Sequence, residues 1–362
     1  VHVPAPPMMV VLALYGLAAL LVPIRGWGSW KCFLAAGLSG LVLVWAYRIA
    51  SEPASGNLQV VFFDVGQGDG AWLRFPDGRT MIIDGGRSFK NFDIGRMVIA
   101  PFLWNQGQYH VDTVVATHPQ LDHVGGLEYL LKKFRVGEVW TNGRDKEAVF
   151  YRRFLSVIEE KEIPRLSVGA ANFAGFSGTD YEVRVLNPVH SGAGGEVKKK
   201  GENDQSIVLR IQYGDEAILF TGDIEGSAER DLLEREVGLK STVLKVPHHG
   251  SRSSIEPEFI KAVRPEVAVI SAGRNNPYRH PSSDTLEAYR KVRSDILRTD
   301  RQGAVVYVSD GEKRSIRTSA DFKVVRVGWD GGIFKTEWKN IRKVLSGYWY
   351  GPLGKPMAGK SG

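Results

Sequence analysis

The chain has 362 residues, 43% of them hydrophobic, enough for one large folded domain and a smaller part. Lys and Arg number 47 against 40 Asp and Glu, and this net charge of +7 suits a polyanionic substrate, an anionic membrane surface or plain solubility. The single cysteine, Cys32, excludes an internal disulfide and any cysteine-rich metal site, so metal ligands here must be His and carboxylate.

Two uncharged apolar stretches come first, Met8–Val22 and Cys32–Tyr47, separated by Pro23-Ile24-Arg25-Gly26-Trp27-Gly28-Ser29-Trp30-Lys31. Each is slightly short of the roughly 20 residues that cross a bilayer comfortably. Trp27, Trp30 and Trp45 lie near their ends, where interfacial aromatics gather. A cleaved leader is the rival reading, but it would have one stretch and a basic start. Two stretches without that start predict a transmembrane helical hairpin over residues 1–50. Arg25 and Lys31 put the connecting loop on the cytoplasmic side, so the rest of the chain faces the periplasm or the exterior; Arg48 counts against this orientation. The polar segment Ser51-Glu52-Pro53-Ala54-Ser55-Gly56-Asn57 reads as a linker.

Leu58–Val65, Ala71–Phe75 and Thr80–Ile83 are predicted as consecutive strands, with Pro76-Asp77-Gly78-Arg79 as the hairpin turn. Apolar spacing predicts helices over Asp93–Trp104, Gly126–Phe134, Glu147–Lys161, Glu225–Glu236, Ile255–Val263 and Ser282–Val292. Short Val/Ile/Leu runs at Val111–Ala116, Ala217–Phe220, Thr242–Val246 and Glu266–Ala272 read as buried strands. Ala304–Ser309 and Lys313–Thr318 close the series, which periodicity alone makes a mixed α/β domain. Lys198-Lys199-Lys200 reads as a solvated loop tip, with phosphate contact as the alternative. The tail after Asp321 carries Trp329, Trp338, Tyr348, Trp349 and Tyr350 among lysines; a small packed extension or a disordered end is expected there, rather than a stacking or membrane surface.

The most informative run is Thr117-His118-Pro119-Gln120-Leu121-Asp122-His123-Val124-Gly125-Gly126, between a strand and a helical pattern. Two imidazoles and a carboxylate within six residues suit a metal site, whereas the bland alternative is a capped helix start. Further ligand types follow other apolar runs: Asp223 after Ala217–Phe220, His248-His249-Gly250-Ser251 after Thr242–Val246, and His280-Pro281 after Glu266–Ala272. Side chains gathered at strand ends from distant parts of a chain are typical of a catalytic site.

These motifs resemble the C-terminal metallo-β-lactamase-fold domain of ComEC-type DNA internalisation proteins, inner-membrane channel proteins of bacterial natural competence. Phe63-Asp64-Val65-Gly66-Gln67-Gly68-Asp69, Ile83-Asp84-Gly85-Gly86, Asn203-Asp204-Gln205-Ser206, Thr221-Gly222-Asp223 and Arg298-Thr299-Asp300 complete the match, in order, over roughly residues 58–318. The resemblance implies an α/β fold: an αββα metallo-β-lactamase sandwich over residues 58–320, preceded by the transmembrane hairpin and a linker at 51–57, with the tail from 321. It also implies a metal-dependent phosphodiesterase, a DNA nuclease, in a DNA-uptake channel of the inner membrane. Its partners would be single-stranded DNA, the membrane and other DNA-uptake proteins. The alternatives are a catalytically inactive DNA-binding or gating module and a membrane-tethered small-molecule hydrolase.

On this resemblance one or two divalent ions, Mn or Zn, are expected. Asp122, His123, Asp223 and His280 would hold one, and His118, His248 and the other oxygen of Asp223 a second. Gln120 stands where the family pattern has His or Asp; its neutral oxygen is a weaker ligand that suits hard ions better than zinc. Asp122, Asp223 and His249 are the expected catalytic groups, with His249 as the acid for the leaving oxygen or as a hydrogen-bond partner of a ligand. Asp64, Gln67, Asp69 and Asp84 are expected beside the ligands, and Ser251 beside a phosphate. Ser254 is a candidate helix cap before Glu256.

Overall fold

The computed structural model describes residues 56–89, 92–171, 173, 175–189, 201–319 and 324–327, with helical positions 15–16, 34, 36–42 and 44. Among the described residues no helix is long and apolar enough to cross a membrane. Apart from those few helical positions, the hairpin predicted over residues 1–50 lies outside them, as do Lys198–Lys200 and the tail aromatics from Trp329.

Three antiparallel strands come first: β1 (Leu58–Phe62), β2 (Gly70–Arg74) and β3 (Thr80–Gly85). A short ribbon, β4 (Ser88–Phe89) and β5 (Phe92–Asp93), leads through a π-helical turn at Gly95–Ile99 into α1 (Ala100–Asn105). Then follow β6 (His110–Ala116), α2 (Leu121–Val124), α3 (Leu127–Lys133), β7 (Arg135–Thr141), α4 (Val149–Glu160) and β8 (Arg165–Ser167). The next strands are β9 (Gly175–Ser177), β10 (Tyr181–Asn187), β11 (Val208–Tyr213) and β12 (Glu216–Phe220). After them α5 (Gly226–Glu234), β13 (Val243–Lys245), α6 (Pro257–Val263), β14 (Val267–Ile270), α7 (Ser283–Lys291) and β15 (Asp295–Arg298) alternate. The short α8 (Thr299–Gln302) precedes β16 (Val305–Ser309), β17 (Arg314–Thr318) and β18 (Val324–Val327).

One sheet runs β18-β17-β16-β1-β2-β3-β6-β7-β8 and the other β15-β14-β13-β12-β11-β10-β9. Their facing sides share one core, where Phe62 of β1 stacks on Phe220 of β12 at 5.3 Å between ring centroids. A second core lies between the first sheet and α1, α3 and α4, and a third between the second sheet and α5, α6 and α7. Helix, sheet, sheet, helix is therefore the layer order, and the αββα expectation holds. The helices follow their apolar spacing: α4 turns Tyr151, Phe154, Val157 and Ile158 inward. Burying side chains of that size contributes roughly 1.5–3 kcal/mol each. Ser282, rather than Ser254, supplies a cap: its Oγ accepts the Thr285 N–H at 3.1 Å at the start of α7. Ser254 Oγ instead donates to the Ile224 carbonyl at 2.9 Å.

Several strands carry no strong sequence signal. β7 mixes charged and apolar residues, its first half half-exposed and its second half buried. β11 alternates less cleanly than a solvent-faced strand because only Arg210 and Gln212 turn away from the core. Strand β18 extends the first sheet past residue 320, where the domain was expected to end.

The parallel strands position the site. β3, β6, β7 and β8 run parallel in the first sheet, and β12 to β15 in the second. The loops that leave their C-terminal ends meet between the sheets, the usual place for ligands in parallel α/β structure.

Candidate metal centre

Asp84 closes β3 in a left-handed conformation (φ 59°) and is almost wholly buried, 1% exposed. Its Oδ1 accepts the Thr117 N–H at 2.9 Å, and its Oδ2 accepts Thr117 Oγ1 and His123 Nδ1, both at 2.8 Å. That carboxylate fixes the His123 ring and turns Nε2 toward the centre. His118, at the end of β6, lies with its ring centroid 4.1 Å from that of His123. Asp122 and His123 sit on the one-turn helix α2, tied to the loop before β2 by the Asp69 N–H, which donates to the Asp122 carbonyl at 3.1 Å. Gly68 (φ 139°) is required there, since a Cβ would collide with the Asp122 carbonyl oxygen.

From the second sheet comes Asp223, after β12, its N–H bonded to Ser206 Oγ at 3.1 Å. Beyond β13 the chain turns through two successive left-handed residues, His248 (φ 46°) and His249 (φ 53°). Non-glycine residues held this way cost energy and concentrate at functional sites. The turn sends neighbouring rings to different places. His249 is buried and donates from Nδ1 to the Ser271 carbonyl at 3.0 Å, leaving Nε2 directed at the carboxylates. His248 stays partly exposed, with Nδ1 at 3.0 Å from Glu225 Oε1.

The convergence is tight. His123 Nε2 and His249 Nε2 lie 3.2 and 3.3 Å from Asp223 Oδ2, and His249 Nε2 lies 3.7 Å from Asp122 Oδ2. None of these contacts has hydrogen-bond alignment: Nε2 of His118, His123 and His249 and Oδ1 of Asp69 and Asp223 are buried without a hydrogen-bond partner. Unpaired buried polar atoms are costly, and such a cluster of imidazole nitrogens and carboxylate oxygens fits a bound cation. Groups close enough to share an ion are His118, His123 and Asp223; Asp122, His123 and His249; Asp69, Asp223 and His249; and Asp69, Asp84 and His123. His/Asp donors of this kind suit a divalent metal.

Electrostatics points the same way. Burial and the neighbouring His123 charge push His118 down to about 3, so it stays neutral and ready to donate a lone pair. Burial alone would lower His123 and His249, but Asp223 with Asp84, and Asp223 with Asp69, hold both well above the usual histidine range. Burial likewise opposes ionised Asp122 and Asp223, yet contact with His249 and His123 keeps both well below the usual carboxylate range. Lys245, at the end of β13, is the fixed cation of the site. It is 3% exposed, contacts Asp69 through Nζ, and lies 3.1 Å from the Gly222 carbonyl and 3.7 Å from Asp223 Oδ1. Burial opposes its charge, but Asp69 and Asp223 raise it above the usual lysine value. Four carboxylates still outnumber Lys245 and the two charged imidazoles, and a divalent ion that displaced the His123 and His249 protons would take over their role as counter-charge.

The structure thus brings together His118, Asp122, His123, Asp223, Asp69, Asp84 and His249. His248 and His280, both expected as ligands, belong to none of the shared-ion groups. His248 Nε2 is 3.9 Å from Asp223 Oδ2, and the His280 ring lies 5.7 Å from that of His248 and 6.5 Å from that of His249. Gln120 donates from its amide to Asn203 Oδ1 at 2.5 Å, and Asn203 in turn donates to Glu225 Oε1 at 3.2 Å. Gln67 and Asp64 stand further out: Gln67 Oε1 accepts the Gly273 N–H at 3.1 Å, and Asp64 Oδ1 accepts the Gly66 N–H at 3.3 Å. Ser251 Oγ pairs with Ser253 Oγ at 2.9 Å. Sequence reasoning missed Lys245, Glu225 and Thr117. Only Lys245 had a signal, as the one charged residue inside the apolar run Thr242–Val246.

Residues 64–274 match the metallo-β-lactamase superfamily, and the chain belongs to that superfamily. Its relatives are ComEC-type competence proteins. It is 28% identical to ComE operon protein 3 of Bacillus subtilis over 83% of this chain and 39% of that protein. It is 30% identical to competence protein ComA of Neisseria gonorrhoeae over 84% of this chain and 39% of that protein. Recombination protein 2 of Haemophilus influenzae is 30% identical over 73% of this chain and 30% of that protein. The chain therefore spans between three tenths and two fifths of the length of these relatives.

Proposed function

We propose that this chain is the metal-dependent phosphodiesterase part of a DNA-uptake protein and acts on single-stranded DNA. The observation that carries the reading is the convergence of three unpartnered imidazole Nε2 atoms on Asp223 and Asp122. The competence names of the relatives supply the DNA and the setting. In this reading His118, His123, His249, Asp122 and Asp223 hold one or two divalent ions, Mn or Zn, which supply Lewis-acid charge and an activated water.

The chain's own residues do the rest. Asp84 and the Ser271 carbonyl hold His123 and His249 by their Nδ1–H groups, so each directs its Nε2 one way, toward the place where an ion would replace the proton. Lys245 neutralises Asp69 and steadies Asp223, limiting the repulsion among four carboxylates. Attack of water on phosphorus forms one P–O bond and breaks another, and the departing oxygen needs a proton. His248, held at the rim by Glu225, is placed to deliver it. The apolar stretches at 8–22 and 32–47 support a membrane hairpin, with the hydrolase part facing the periplasm or exterior of the inner membrane alongside other DNA-uptake proteins.

The test is degradation of end-labelled single-stranded DNA by the purified full chain with Mn²⁺ or Zn²⁺. Metal-dependent degradation that Asp223→Asn abolishes is expected. Stoichiometric metal without cleavage, or cleavage that survives Asp223→Asn, overturns the reading. The Gln120–Asn203 hydrogen bond favours one competitor, a DNA-binding module without turnover. DNA binding with no metal in elemental analysis would select it.

A further inference from the structure

Beside the metal centre lies an open cleft of about 600 Å³ whose lining includes Arg274, Arg279, Arg298, Arg301, Asp300 and His280. Four arginines against one acid is a strong local bias. Arg298 is spoken for: it grips Asp300 through two bonds of 2.9 and 2.7 Å, and both are half-buried. Arg274, anchored through Nε on the Asp300 carbonyl at 3.3 Å, and the exposed Arg279 and Arg301 face the opening. Next to them Tyr278 is 60% exposed, its ring stacked on His280 at 5.7 Å and 30°.

The loop carrying these groups is rigid. Asn276 Nδ2 donates to the Gly273 and His280 carbonyls at 2.9 and 2.6 Å, and Asn276 Oδ1 accepts the His280 N–H at 2.9 Å. Gln67 ties the same loop to the segment before β2 through the Gly273 N–H. Arg279 is held in a left-handed conformation, φ 58°. The cleft is thus prepared before any ligand arrives.

We propose that this cleft is the path of a single-stranded polynucleotide into the metal centre: Arg274, Arg279 and Arg301 take its phosphates and Tyr278 stacks an unpaired base. The proposal rests on the phosphodiesterase reading and adds where the strand lies. Fixed guanidinium groups along a groove, with an aromatic face beside them, are how proteins hold single strands without reading sequence. A stacking platform serves unpaired bases, so a single strand fits and a duplex does not. His280 lines the cleft and its ring lies 6.5 Å from that of His249, so a strand stacked on Tyr278 passes close to the metal centre.

Binding of fluorescein-labelled oligothymidylate by the full chain, measured by anisotropy in EDTA over a series of salt concentrations, tests this without turnover. The double variant Arg279→Glu, Arg301→Glu should bind about tenfold or more weakly at low salt, with a log–log salt slope smaller by about 1.4, near 0.7 per lost contact. Tyr278→Ala should weaken binding about fivefold or more and leave the slope unchanged. The double variant Arg152→Glu, Arg153→Glu, the same charge change at two exposed positions of α4 in the other helical layer, serves as the control. Undetectable binding by the unmodified chain, or a cleft double variant no weaker than this control, overturns the proposal. If binding behaves as expected but the metal-loaded chain cuts no DNA, the cleft stands and the phosphodiesterase reading falls.

Discussion

His248 and His249 are adjacent in the chain, share a left-handed backbone and occupy opposite surroundings. His249 is sealed among Asp223, Asp122 and Asp69, with its Nδ1 spent on a carbonyl, whereas His248 stands at the rim against Glu225. The same division runs through the whole site. Its floor is a buried array in which every ring is oriented by a carboxylate, hydroxyl or carbonyl, with Lys245 as an internal counter-charge. Its rim is a half-exposed polar chain, Gln120–Asn203–Glu225–His248, continued by Ser253. Floor groups are committed to geometry and charge, which suits ligation. Rim groups keep solvent access, which suits proton exchange and substrate contact.

The sharpest way to break this comparison is at the floor. Asp223→Asn should remove the carboxylate common to two of the shared-ion groups, with metal lost in elemental analysis and turnover down about 10³-fold. Retained metal with retained turnover would mean that the floor is structural only. The histidine pair comes next. His249→Ala should empty the site, whereas His248→Ala should keep the metal and lower turnover about 10²-fold or more. Equal metal loss in both would erase the distinction between floor and rim. Asp84→Asn is a gentler cut, since it leaves Asp122, Asp223 and the three imidazoles present and loosens the hold on the His123 ring and Thr117. Metal affinity should fall about 10- to 100-fold in a competition titration with a chelator, and an unchanged affinity would deny Asp84 its orienting role.

Glu229 on α5 supplies the contrast of a buried carboxylate without the floor's cations. Its Oε2 accepts the Glu256 N–H at 2.9 Å, but burial, reinforced by Glu256 and Asp204, raises it to about 8. The folded protein therefore holds a proton that the unfolded chain releases near pH 4.5. That contribution to stability is full below about pH 4.5 and is lost as pH rises to about 8, at up to about 1.4 kcal/mol per pH unit. Thermal unfolding of Glu229→Gln should show a flatter fall in Tm across this window than the unmodified chain. Parallel curves would show that Glu229 does not bind the proton.

The sandwich and most of the floor are legible in the sequence. Val111–Ala116, Ala217–Phe220 and Thr242–Val246 are apolar because both faces of those strands are covered, and the ligand residues follow each run directly. Asp69 and Asp84, expected beside the ligands, lie within the same cluster of His and Asp side chains. The choice between His248 and His249 was not legible, because it depends on two backbone dihedrals in a turn whose residues give no hint of handedness. The exchange of roles that follows moves His249 to the floor and His248 and His280 to the rim. Strands such as β7 and β11 stayed hidden because their neighbours, rather than their own composition, bury them.

The sequence by itself determined which strand ends carry His and Asp and the order of α and β elements, since apolar periodicity and turn residues act over a few neighbouring positions. Only the tertiary structure decided which imidazoles face one another, that Lys245 enters the floor, and that Gln120 is engaged by Asn203. Those outcomes depend on side chains far apart in the chain meeting between two sheets, where burial makes each unpaired charge or lone pair count.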